Sequence, residues 1–176
     1  MTNYLIVPGL GNSGPEHWQT YFENSGSNFH RVEQTNWDAP TCADWIAAID
    51  NKISEFDPAT VVLIGHSLGC ATIAHWAKTY QRTIKGALLV APSDLEAPQY
   101  TFTAIGFAPI PLEKIGFKTI VVASADDVWV SLERAKFFAE HWGTTLFINL
   151  GNAGHINVAS GHTNWEEGLK LLQLLD

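Results

Sequence analysis

The run Thr60-Val-Val-Leu-Ile-Gly65 constrains this chain more than any other stretch. It is apolar after its first residue and too short for a membrane span, which is the pattern of a strand buried on both faces. Such a strand needs helices above and below it. The rest of the sequence supplies them in alternation. Strands are predicted at Tyr4 to Val7, weakly at Phe29 to Val32, at Thr60 to Gly65, Gly86 to Val90, Thr119 to Ala123 and Thr145 to Leu150. Helices are predicted at Gly14 to Asn24, with Ser13 as N-cap and Pro15 in the first turn, and at Thr41 to Phe56. Trp45, Ile46, Ile49, Ile53 and Phe56 share one face of the second. Further helices are predicted at Leu68 to Tyr80, Ser131 to Trp142 and Trp165 to Leu175. Strand–helix alternation of this kind implies a mostly parallel sheet of about six strands, sandwiched in three α/β/α layers with right-handed crossovers. A chain of 176 residues fits one domain, residues 1–176, with no linker or repeat.

One stretch breaks the alternation. Residues 92–117 carry Pro92, Pro98, Pro109 and Pro111, with Tyr100, Phe102, Phe107 and Phe117 between them. The prolines exclude a long regular helix. A long loop in a compact domain is either a functional cover or a connection pinned to the core by its aromatics.

The residues that follow the best strand carry chemistry. Gly65-His-Ser-Leu-Gly69 is a G-x-S-x-G match. By composition alone, such a match arises in roughly one chain in twenty of this length. Its place between a strand and a helix is what a nucleophile elbow requires. There a sharp turn projects the Ser67 hydroxyl over the carboxyl edge of the sheet, and the glycines remove Cβ atoms that would clash. A serine also needs a base. Of His17, His30, His66, His75, His141, His155 and His162, His155 is preferred, because it falls in Gly-Asn-Ala-Gly-His-Ile, the loop after the last strand, at the edge where open parallel sheets bind ligands. His162 is its main competitor.

The base needs a carboxylate to fix its tautomer. Asp126 and Asp127 follow the strand Thr119 to Ala123, and the order Ser, Asp, His is the one that accompanies such an elbow. Asp127 opens an Asp-x-x-Val pattern common beside such elbows and is preferred; Asp126 is the alternative and Asp94 a distant third. The oxyanion donors expected are the Leu68 amide and, from the loop Pro8 to Ser13, the Leu10 amide, with Gly11 in reserve. Gly9, Gly11 and Gly14 also match G-x-G-x-x-G, with Glu33 placed for a ribose contact. That dinucleotide reading leaves Ser67, Asp127 and His155 without a role.

Several further stretches are similar to the small serine hydrolases grouped with retinoblastoma-binding protein 9 and the YdeN-like proteins. They are Gly-Asn-Ser-Gly-Pro-Glu-His-Trp-Gln at 11–19, Trp37 with Pro40 and Trp45, the elbow at 65–69, and Phe-Ala-Pro-Ile-Pro at 107–111. Ala-Ser-Ala-Asp-Asp at 123–127 and Ala-Gly-His-Ile at 153–156, with Ser160 and Gly161, complete the set. The resemblance implies an α/β-hydrolase fold without a large cap domain, a Ser67–Asp127–His155 triad, and esterase-type activity on small acyl esters or thioesters. It implies no cofactor, and Trp18, Trp37 and Trp45 near the first helices, mainly as core. Where the family carries Asp-Pro, this chain has Asp127-Val128.

Composition narrows the partners. Net charge is −8 with ten Lys and Arg and no basic run, which argues against nucleic acid or an anionic membrane surface. No metal-ligating motif occurs. Cys42 and Cys70 read as buried free thiols. The start MTNYLIVPGLG has no basic n-region, so a cytoplasmic location is the default expectation. The partner expected is a small ester-type substrate. The alternative is a catalytically weak module that keeps the fold and binds a protein partner or a second copy as a homodimer, through the aromatics of 98–117.

Overall fold

A computed structural model describes all residues, 1–176. Its six strands, β1 Asn3–Val7, β2 Phe29–Arg31, β3 Val61–His66, β4 Gly86–Val90, β5 Lys118–Ala123 and β6 Leu146–Asn149, form one sheet in the order β2-β1-β3-β4-β5-β6. Every neighbouring pair is parallel.

The period of two along each strand decides what the sheet buries. Leu5, Val7, Val61, Leu63, Ala87, Leu89, Val121 and Ala123 face one side. There they pack against α2 Cys42–Ile53, α3 Leu68–Tyr80 and α4 Leu132–Trp142. Tyr4, Ile6, Val62, Ile64, Leu88, Val90, Ile120 and Val122 face the other, against α1 Trp18–Glu23 and α5 Glu166–Leu171. Trp45, Trp76 and Trp142 fill the first layer and Trp18 the second, all but excluded from solvent. Helices thus cover both faces of an α/β-hydrolase sheet, and no large cap is inserted. None of them is long and apolar enough to cross a membrane.

Two elements depart from expectation. The first helix begins at Trp18, not Gly14, because His17 rather than Ser13 is the N-cap: its Nδ1 accepts the Gln19 N–H at 3.1 Å. Ser13 donates instead to Gln19 Oε1 at 2.6 Å. The last helix stops at Leu171 and tightens into a 3₁₀ turn over Leu172–Leu175. Residues 92–117 carry no helix or strand, and one isolated bridge ties Ile105 to Thr41. This segment joins β4 to β5 in place of a crossover helix. The His75 Nε2–H donates to Phe107 O at 2.8 Å, and the Trp142 indole N–H to Pro111 O at 2.7 Å.

The strand order places the site. From β1 the chain first steps outward to β2, then returns past β1 to β3 and continues to β6. The loops after β1 and β3 therefore diverge at the carboxyl edge and leave a crevice between them.

Candidate active site

Ser67 occupies that crevice, at the junction of β3 and α3, with φ 56° and ψ −123°. A serine held there costs about 1–3 kcal/mol, which the surrounding packing must offset. The flanking glycines are a steric necessity. A Cβ at Gly65 would lie 2.8 Å from Ile73 Cδ1, and one at Gly69 would run into the carbonyl oxygens of Val7 and Pro8. The second obstacle is backbone of the adjoining central strand and cannot yield. Gly69→Ala is therefore expected to cost about 3 kcal/mol, read as a lower urea midpoint at unchanged m-value.

His155 and Asp127 meet in the same crevice. The His155 Nδ1 lies 3.0 and 2.8 Å from the two Asp127 carboxylate oxygens, with side-chain exposures of 9% and 0%. A carboxylate on Nδ1 fixes the proton there and leaves Nε2 as the basic nitrogen. The backbone N–H of Trp129 also donates to Asp127 Oδ1, at 2.9 Å.

Asp126, the alternative acid, points away from the imidazole. It accepts from the Ser124 hydroxyl and from the Gly154 N–H, both at 2.7 Å, and the hydroxyl bond above all holds its carboxyl below the usual range. It thereby anchors the loop that carries His155. Three further bonds hold that loop: Ala153 N–H to Ser124 Oγ, the His66 Nε2–H to His155 O, and the Trp18 indole N–H to Ile156 O. Asp94 is engaged by Arg134 at 3.0 Å. His162 contacts Ser160 and Trp165 and does not join Asp127.

The amides of Leu10 and Leu68 have no acceptor within the chain, whereas the Gly11 N–H is taken by Trp37 O at 2.8 Å. Gly9 packs so close to the elbow that a Cβ there would stand 2.9 Å from Ser67 Cβ. No helix starts at Gly14, so the Gly9–Gly14 loop offers no helix N-terminus for a pyrophosphate.

Sequence reasoning passed over four residues that meet here. The Ser67 hydroxyl is hydrogen-bonded to Ser93 Oγ at 2.8 Å, not to His155. Gln19, fully buried, donates to Ile64 O at 3.0 Å and to Val7 O at 3.4 Å, tying β3 to β1 at their carboxyl ends. The rings of His17 and His66 are 4.8 Å apart, and those of His66 and His155 4.9 Å. Burial, with Arg31 behind it, pushes His17 down to about 4; burial, then His155 and His17, hold His66 well below its ordinary value.

Both histidines thus fold as neutral rings, while the unfolded chain protonates them near pH 6.5. Stability is therefore fully present above pH 6.5 and falls as the pH drops towards 4, by about 1.4 kcal/mol per pH unit for each proton taken up on unfolding. Urea melts at pH 7, 6 and 5 should show this fall, and His17→Gln should flatten it. Equal stability of the wild type at all three would contradict it.

Ser67, His155, His17, His66, Ser93, Leu10 and Gly9 line one cavity of about 440 Å³, together with Tyr100, Phe102 and Trp129. The segment 92–117 contributes to both the core and the cavity. Phe107 and Phe117 pin it to the core, and Tyr100 and Phe102 face the crevice.

A family model described as serine hydrolase matches residues 4–174. A YdeN-like hydrolase from Pectobacterium atrosepticum is similar at 32% identity and TM-score 0.87, over 99% of this chain and 92% of that one. The ydeN gene product of B. subtilis follows at 19% identity and TM-score 0.75, over 99% and 98%. A monoacylglycerol lipase from Paleococcus ferrophilus shares the fold at 14% identity and TM-score 0.69, over 99% and 95%. Comparison with the curated proteins gives no match.

Proposed function

The chain belongs to the serine hydrolase family, with a YdeN-like hydrolase among its relatives, and on that premise we propose that it cleaves small carboxylic esters or thioesters through an acyl-enzyme at Ser67. The observation that carries this reading is the 2.8 Å bond between the buried Asp127 carboxylate and His155, whose ring lines the cavity that also holds the strained Ser67. In this reading the Ser67 hydroxyl leaves Ser93, turns about χ1 and attacks the acyl carbonyl carbon. His155 Nε2 takes its proton, and Asp127 stabilises the imidazolium. The negative oxygen of the tetrahedral intermediate is held by the free Leu10 and Leu68 amides, the latter at the positive end of α3. As the intermediate collapses, the bond to the leaving oxygen or sulfur breaks and His155 returns the proton to it. Water then repeats the sequence on the acyl-enzyme and frees the acid.

The test is covalent labelling with a fluorophosphonate probe, mapped by mass spectrometry. Stoichiometric modification at Ser67, lost in Ser67→Ala and in His155→Ala, is the expected result. A folded protein that stays unlabelled would discard the activated nucleophile and leave a binding module on the same fold.

A further inference from the structure

The cavity beside Ser67 is lined by two kinds of side chain. The apolar ones are Leu10 and three aromatics, Tyr100, Phe102 and Trp129. The rings form a closed triangle: Phe102 to Trp129 at 5.2 Å, Tyr100 to Phe102 at 5.5 Å and Tyr100 to Trp129 at 6.3 Å between centroids. Trp129 is fixed to the reacting centre by its own backbone, because its N–H donates to Asp127 and its carbonyl accepts from the Asp94 N–H at 2.9 Å. Phe102 stands at the rim, 48% exposed. An exposed aromatic beside a half-buried pair of rings leaves a face against which a flat apolar group gains both burial and ring–ring contact. The Tyr100 phenol, pushed up to about 12 by burial, leaves this face uncharged at any working pH.

The rest of the lining is polar but carries no cation. Asn12, His17, Asp38 and Asn157 stand there, and neither Lys nor Arg lines the cavity. Arg31, which reaches Asn12 from behind, is buried and already paired with Glu23 at 2.7 Å. His17 and His66 are neutral rings, and Asp38 is an exposed carboxylate. An anionic group entering here would lose its water, meet Asp38, and find no compensating charge.

We propose that this cavity selects uncharged esters bearing an aryl group, seated against Tyr100, Phe102 and Trp129, and rejects acyl compounds that carry a negative charge. The proposal deepens the Ser67 reading and rests on it for turnover. It also narrows that reading, since a thioester borne on a phosphorylated carrier falls outside it.

Two pairs of esters test it, each kcat/KM being divided by that ester's rate constant for alkaline hydrolysis so that intrinsic reactivity drops out: methyl phenylacetate against methyl cyclohexylacetate, and benzyl acetate against cyclohexylmethyl acetate. In the pair that places its ring against the aromatics, kcat/KM should favour the aryl member by roughly 5-fold. The preference should shrink towards unity in Trp129→Leu and, at the exposed rim where folding is least at stake, in Phe102→Leu. The 4-carboxy derivative of methyl phenylacetate should be at least roughly 10-fold poorer than its parent, with part of the loss recovered in Asp38→Asn. Equal kcat/KM within both pairs, or equal use of the carboxylate, would overturn the proposal.

Binding to Ser67→Ala separates this outcome from failure of the hydrolase reading. At least one of methyl phenylacetate and benzyl acetate, but neither cyclohexyl counterpart, should shift the Trp129 indole N–H resonance in that variant whether or not any ester is turned over. No shift with either aryl ester would discard the aromatic seat.

Discussion

Ser67→Ala is expected to lower kcat/KM for a short acyl ester by about 10⁴-fold or more, while the urea midpoint stays at or above that of the wild type. The two halves of this expectation come from the same turn. The hydroxyl is the atom that would bond to the acyl carbon, so nothing else in the cavity replaces it. Ser93 Oγ lies 2.8 Å away, but it is 2% exposed and has no imidazole on it, so it is not poised to take over. The backbone at position 67 remains at positive φ in alanine, with its N–H still donating to Val90 O at 3.0 Å and its carbonyl still accepting from Cys70. Removing the hydroxyl frees Ser93 Oγ without leaving a buried charge. Turnover retained at the wild-type level in Ser67→Ala would remove Ser67 from the chemistry. Loss of activity together with loss of the folding transition would show that the elbow, rather than the hydroxyl, had been tested.

How much of this was legible in the sequence follows from the range over which each interaction acts. The strand–helix alternation was readable because burial on two faces imposes continuous apolar runs, and β3, β4 and α3 lie within a residue of where the runs place them. The elbow was readable because its steric requirement is local: Gly65 and Gly69 stand within two residues of Ser67. His155 and the Asp126/Asp127 pair were readable as positions at strand ends. What they touch was not. Ser93, His17 and Gln19 reach the crevice only because β1, β3 and β4 are neighbours in the sheet, a fact of topology rather than of spacing. His17 and Gln19 do stand in the stretch 11–19 that carries the family resemblance, but the resemblance assigned them no contact. The start of α1 was misplaced for a similar reason. Ser13 is a good capping residue by type, and only the buried Gln19 side chain, fixed to β1 and β3, draws its hydroxyl elsewhere.

The adjacent aspartates give the second large effect and the clearest division of labour. Asp127→Asn is expected to lower kcat by about 10⁴-fold with little change in KM, because an amide facing His155 reverses the tautomer. The asparagine N–H₂ would donate to Nδ1, placing the imidazole proton on Nε2, where a base needs a lone pair. Asp126→Asn keeps an acceptor oxygen for the Ser124 hydroxyl and the Gly154 N–H, so the loop holding His155 stays anchored and kcat should fall by no more than roughly 3-fold. Asp126→Ala removes the anchor and should lower activity and stability together. Steady-state kinetics on the three variants, with urea melts beside them, separates an acid that fixes a tautomer from one that fixes a loop. The reverse ranking of the two asparagine variants would make Asp126 the partner of His155 and the 2.8 Å contact of Asp127 incidental to turnover. A wild-type rate in Asp127→Asn would go further, because a base that works without its carboxylate is not one whose proton Asp127 positions.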